Sequence, residues 1–154
     1  RPPRSTPLPY TALFRSVHIV DATIESLAGR ERKPKRVGVI ATKGTLDAGW
    51  FQHGLAAQGI EPLEPTPKEL AEWFVPGCYA VKGGQLREGG EKLRLLADAL
   101  LARGADTLVL ACTEVPVALR AVAAPSLAQS LDPAQALAQR CAEIWLQRRH
   151  SYLA

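Results

Sequence analysis

Two short apolar runs, Val37-Gly38-Val39-Ile40-Ala41 and Thr107-Leu108-Val109-Leu110-Ala111, constrain the fold of this chain more than any other feature. Each is apolar over consecutive residues, rich in branched aliphatic side chains, and too short for a helix. Runs of this kind are strands buried on both faces. The stretches around them have helical spacing instead. Residues 17 to 29 set Ile19, Ala22, Thr23 and Leu27 on one face and stop at Gly29. A helix is predicted from about Leu46 to Ala57, with Gly59 as terminator. The strongest pattern runs from Leu86 to Arg103, where Leu93, Leu96, Ala97, Leu100 and Leu101 share a face and Gly104 closes the helix.

Weaker signals fill the remainder. Ile60-Glu61-Pro62-Leu63 reads as an edge strand, because a proline cannot donate into a central ladder. Thr66-Pro67 with Glu69 reads as a helix start, and the short helix that follows is expected to end sharply at Val75-Pro76-Gly77. A further helix is predicted from Pro116 to Ala123 and a short strand at Pro125-Ser126-Leu127-Ala128. Asp132 as cap and Pro133 at the first position announce a last helix running to about Gln147. Strands alternating with helices predict an α/β domain: a small parallel β-sheet of about four strands, flanked by helices. No internal repeat is visible, and 154 residues suffice for one domain with a real core.

Composition removes several function classes. The formal net charge is +4, and a visible part of the excess is the run Arg30, Arg32, Lys33, Lys35 and Arg36. No aromatic residue interleaves it, so it reads as a solvated loop and no nucleic-acid partner is expected. No apolar stretch approaches the ~20 residues that span a bilayer, so no membrane partner is expected. Three cysteines, an odd count with no CxxC pair, fit a reducing, cytoplasmic setting. His18, His53 and His150 lie far apart, with no metal-binding spacing, so no metal is expected. The glycine patterns of mononucleotide and dinucleotide sites are absent. Four prolines in the first nine residues, and no methionine anywhere in the chain, mark residues 1 to 16 as a leader without a fold of its own, either non-native sequence or a Pro-rich linker.

Chemistry collects where the two strands end. Val37–Ala41 leads into Thr42-Lys43-Gly44-Thr45, and Thr107–Ala111 leads into Cys112-Thr113-Glu114. Both turns precede helices, so free N–H groups and Thr hydroxyls point outward and could grip a carboxylate. The same hydroxyls also serve as plain helix caps, and spacing does not separate the two uses. Cys112 is a candidate acid/base, since a helix N-terminus favours a thiolate; a buried packing cysteine has the same sequence appearance. Glu114 could relay a proton, yet its charge opposes a thiolate. Lys82, flanked by Gly83 and Gly84, is either a ligand-facing cation or a solvated loop lysine. Cys78, in a helix-breaking segment with no acid/base neighbour, and Cys141, inside the last helix, read as packing residues.

Four blocks in this order resemble the aspartate/glutamate racemase family: Val37 to Thr45, Val81-Lys82-Gly83-Gly84, Arg103 to Pro116 with its Ala-Cys-Thr-Glu-Val-Pro core, and Leu131-Asp132-Pro133. Glutamate racemases usually carry His where this chain has Glu114, so the Cys-Thr-Glu form is similar to the aspartate-racemase branch. The resemblance implies a cofactor-independent racemase in which two pseudo-symmetric α/β domains enclose a small amino acid. One thiolate removes the α-proton and a second thiol returns one on the opposite face. It further implies Cys112 and Glu114 as the catalytic pair, Cys112 as acid/base and Glu114 tuning it. Thr42, Thr45, Lys82 and Thr113 would bind the substrate's acidic groups. By this resemblance residues 17 to 150 are the second domain with its C-terminal helix. The first domain, which would be its partner, has no counterpart here. The substrate would be aspartate, and the chain alone would be inactive; a homodimer is compatible with the family. Hydantoin racemase and maleate isomerase relatives share the paired-cysteine site, and a non-catalytic small-carboxylate binding module would use the Thr turns and Lys82 without proton transfer.

Overall fold

The structure, a computed structural model, describes residues 16–153. The expected leader thus lies outside the described residues except for its last position. Both apolar runs are strands: β1 (Arg36–Ala41) and β3 (Thr107–Ala111) pair in parallel, with β2 (Glu61–Leu63) beyond β1 and β4 (Ser130–Leu131) beyond β3. The four-stranded order is β2-β1-β3-β4, all parallel. The proline-bearing strand is an edge, as expected.

Side-chain alternation along the central strands builds two cores. Val37, Val39, Ala41 and Val109 face α1 (Ile19–Ala28) and α3 (Trp50–Ala57) through Val20, Ile24, Leu27, Phe51 and Leu55. Ile40, Leu108 and Leu110 face α6 (Leu86–Ala102) through Leu93, Leu96 and Leu100, with Val115 and Leu119 of α7 (Glu114–Ala121). The central strand residues Val37, Val39, Ile40, Leu108 and Val109 are fully buried. Gly38 lets α6 approach this sheet: a Cβ there would stand 2.7 Å from Leu108 Cδ2 and 3.2 Å from Leu100 Cβ. The sheet is therefore covered on both faces by helices, the α/β class expected.

Several boundaries differ from the sequence expectation. The single helix over 46–57 is two: α2 (Lys43–Ala48) and α3, separated at Gly49, whose φ of 70° an ordinary side chain resists. The short strand expected at 125–128 is a 3₁₀ helix, Pro125–Gln129, and the strand lies just after it. Pro125 sits at its first position and cannot donate to a ladder. The helix expected from Pro116 starts two residues earlier, at Glu114, and α8 (Pro133–Leu153) extends past Gln147.

The largest correction concerns Val75-Pro76-Gly77. No helix ends there. A capped start, α4 (Pro67–Glu69), runs through a π-helical turn (Leu70–Phe74) directly into α5 (Val75–Lys82). Pro76 offers no N–H, and its ring would crowd the carbonyl four residues back in an α-helix. The wider turn immediately before it, in which the Val75 N–H reaches Leu70 O, admits the ring without stopping the helix. Cys78 is consequently helical and buried, and Lys82 closes a helix rather than sitting in a loop.

Candidate active site

Register places the site. Ala41 is paired with Ala111, so Thr42 and Cys112 leave the sheet side by side at its C-terminal edge. The connection after β1 leads outward to β2, and the one after β3 leads the other way to β4. The crevice between the two strand ends is a topological switch point, where parallel sheets bind ligands.

After β3, Cys112 continues the strand's alternation toward the α6 side of the sheet and packs against that core, half-buried. Its thiol donates to Glu114 Oε2 at 3.0 Å. The Thr113 hydroxyl donates to the same oxygen at 3.1 Å. Lys82 Nζ stands 3.5 Å from the other oxygen, Oε1. One carboxylate thus gathers a thiol, a hydroxyl and an ammonium. These donors hold the Glu114 carboxyl below its ordinary range, the Cys112 hydrogen bond contributing most. Thr113 makes no side-chain cap to α7; its hydroxyl is turned to Glu114 instead.

After β1 the arrangement is quieter. Thr42 caps α2, its hydroxyl accepting from Thr45 N at 3.3 Å and lying 3.0 Å from Thr45 Oγ1. The capping use left open by spacing is therefore realised at Thr42. Thr45 in turn faces an open cavity of about 230 Å³, with Cys112, Thr113 and Asp132. Its walls are otherwise apolar, with Ile19, Val20, Trp50 and Phe51 among them. Mostly apolar walls with a few convergent polar groups suit a small metabolite. Asp132 is committed locally: its carboxylate accepts from Ala134 N at 3.0 Å and lies 3.7 Å from Arg120.

The fold brings Cys112, Thr113, Glu114 and Lys82 into one cluster, with Thr45 across the same cavity. Thr42, Lys82 and Glu114 do not line the cavity themselves; Thr42 meets Thr45, and Lys82 and Glu114 meet each other. Cys78 is buried in an unbroken α5 rather than in a helix-breaking segment, and it belongs to the core against which Cys112 packs. Trp50 and Ile19 were also not anticipated. Among the described residues, no three His, Cys, Asp or Glu gather as a metal site, and no helix is long and apolar enough to cross a membrane.

The crevice at the switch point of a parallel sheet is where small-molecule sites are built in such folds. The sequence profile of Asp/Glu/hydantoin racemases matches residues 16–141, and the chain belongs to that family. A glutamate racemase from Roseiflexus sp. (strain RS-1) is 37% identical over 118 residues, which cover 73% of this chain and 41% of that protein. An uncharacterized protein from the pnlA 3′ region of Pectobacterium carotovorum subsp. carotovorum is 26% identical over 127 residues, 82% of this chain and 83% of that protein. The fold matches the crystal structure of an aspartate racemase homologue from Pyrococcus horikoshii OT3 with a TM-score of 0.69 at 24% identity, over 83% of this chain and 55% of that one. The chain thus spans about half of that structure and a smaller share of the glutamate racemase.

Proposed function

We propose that this chain carries one half of a cofactor-independent racemase site, with Cys112 as the acid/base on one face of the substrate Cα. The observation that carries the reading is the 3.0 Å hydrogen bond to Glu114 made by Cys112, the thiol that lines the switch-point cavity. The α-proton of an amino acid is far less acidic than a thiol, so placed donors must stabilise the carbanion. Thr45, on the cavity wall, holds the substrate carboxylate in this reading, while Thr113 lines the same wall with its hydroxyl proton given to Glu114. Glu114 orients Cys112, and Lys82 with Thr113 keeps Glu114 ionised and in place. Thr42 supports Thr45 from behind.

Racemisation also needs a proton delivered to the opposite face. Cys112 is the single thiol among the described cavity-lining residues. The reading therefore assigns the second acid/base to a first domain of the kind found in two-domain racemases, and assigns this chain alone negligible turnover. Aspartate is the favoured substrate, from the Cys-Thr-Glu form of the motif. The apolar wall of Ile19, Val20 and Trp50 favours a second substrate class, hydantoins with an apolar substituent.

Exchange of the Cα proton in deuterated buffer tests both, with D- and L-aspartate, glutamate and a substituted hydantoin offered in turn. In a polypeptide that carries this chain behind a first domain, we expect exchange with aspartate. Cys112→Ser should then lower exchange by about 10³-fold. Turnover by the chain alone, abolished by Cys112→Ser, would refute the half-site reading. Binding that survives Cys112→Ser with no exchange in any protein would identify a carboxylate-binding module instead.

A further inference from the structure

The cluster has an aromatic neighbour that the proposed reaction does not use. Tyr79 lies three residues before Lys82 on α5, and at that spacing two side chains share a helical face. The Lys82 ammonium stands over the Tyr79 ring, 5.8 Å from its centre. Its Nζ is also 3.5 Å from Glu114 Oε1, at the start of α7. The ammonium is thus shared between an aromatic face and a carboxylate. A cation within about 6 Å of a ring centre is attracted by the negative face of the ring.

A lysine in this place needs a brace. Its side chain is 61% exposed, and a long flexible stem loses rotamer freedom when it is held in one ion pair. It is the last residue of α5, so no residue a turn further along that helix can support the stem. The chain turns away through Gly83 and Gly84, the latter at a φ of 81°. The ring one turn back is the support that α5 itself supplies. Two glycines set the depth from which Lys82 reaches across to α7. A Cβ on Gly89 of α6 would stand 2.6 Å from Gly77 O, and one on Gly77 would stand 2.9 Å from Leu93 Cγ, so α5 and α6 pack closer than side chains at these positions would allow.

We propose that Tyr79 is a positioning residue: its ring holds the Lys82 ammonium against Glu114, and through Glu114 it acts on Cys112. The proposal deepens the racemase reading and rests on it for the role of Cys112; the contacts themselves stand without it. The Glu114 carboxylate accepts from Cys112 Sγ at 3.0 Å and from Thr113 Oγ1 at 3.1 Å. A negative charge beside a thiol opposes the thiolate, and an ammonium fixed on that carboxylate offsets the opposition. Cys112, Thr113 and Lys82 are the groups that face Glu114, and the Cys78 thiol, one turn before Lys82, feels both charges. The Glu114 carboxyl is held low first by the Cys112 hydrogen bond, with Lys82 adding to it. Tyr79 governs the part that this surface cation supplies.

The test is a double-mutant cycle in the full 154-residue chain. Two titrations are read: the Glu114 midpoint by carboxyl-carbon NMR, and the pH dependence of Cys112 alkylation by iodoacetamide, followed on the Cys112 peptide by mass spectrometry. Tyr79 is 70% exposed, so its replacement leaves the core intact. Tyr79→Leu keeps an apolar side chain and removes the π face. It is expected to raise the Glu114 midpoint by about 0.3 pH unit and to slow alkylation near pH 7 about twofold. Tyr79→Phe keeps the face and should titrate like the parent. Lys82→Met should produce the same changes at larger size, and adding Tyr79→Leu to it should change nothing further. A purely structural effect of Tyr79 would persist in the Lys82→Met background. Parent-like titrations in Tyr79→Leu, a Tyr79→Phe chain that titrates like Tyr79→Leu, or an effect that survives Lys82→Met would overturn the proposal. Failure of the racemase reading would show separately, as absent Cα exchange with these titrations intact.

Discussion

The turn after β1 and the turn after β3 occupy matching positions in adjacent parallel strands, yet they use their hydroxyls differently. Thr42 is spent on architecture: it accepts from Thr45 N and caps α2. Thr113 occupies the same place before α7 and caps nothing, its hydroxyl donating to Glu114 instead. One turn closes its hydrogen bonds within itself. The other passes them to a carboxylate shared with Cys112 and Lys82. A threonine before a helix is therefore not a functional sign by itself; Thr42 has the extended backbone of a cap (ψ 154°), whereas Thr113 is already helical (ψ −27°), caps nothing and donates to Glu114.

The sharpest way to break this comparison is to remove the distinguishing group on each side. Cys112→Ser is expected to lose about 10³-fold in Cα exchange in the two-domain context while moving unfolding free energy by less than about 1 kcal/mol. Thr42→Ala is expected to lose stability with the Cys112 alkylation profile retained. The wall behind the second turn is the next target. Gly89→Ala forces a methyl onto Gly77 O and should cost about 2–3 kcal/mol in urea unfolding, with the Cys112 alkylation midpoint displaced as α5 shifts. Loss of the Thr42 cap should cost about 1 kcal/mol, whereas Thr113→Ala, which removes no cap, should stay within about 0.5 kcal/mol.

The smallest expected effect is a pH slope. The Glu114 carboxyl is held below its unfolded value, chiefly by the Cys112 hydrogen bond. Its contribution is therefore complete above the unfolded value and is lost as pH falls through the lowered one. Urea midpoints between about pH 6 and pH 3 should fall less steeply in Glu114→Gln than in the parent. Asp106 supplies a control of the same sign far from the cavity. Its carboxyl is lowered by backbone N–H groups of Arg36 and Lys35, at 2.9 and 2.7 Å, and its share of the slope should persist in Glu114→Gln.

Legibility followed the range of the interactions. The central strands were readable because full burial on two faces demands consecutive apolar residues, and α6 because one buried face demands its leucines at helical spacing. The capping box at Thr66 and Glu69 was readable for the same reason: both partners lie within one turn. Breakers misled where a neighbour compensated. Pro76 looked like an end until a π turn made room for its ring, and Gly49 split a helix whose apolar spacing runs on across it.

The sequence by itself therefore determined the fold class, the parallel sheet and the candidacy of Cys112, Glu114 and the two Thr turns, since these depend on local periodicity and on residues adjacent in the chain. Tertiary structure alone decided that Lys82 pairs with Glu114 and that Cys78 enters the core against which Cys112 packs. Those contacts join segments about thirty residues apart. They depend on the register of β1 with β3 and on the depth at which two glycines let α5 settle, and neither quantity is written in any local pattern.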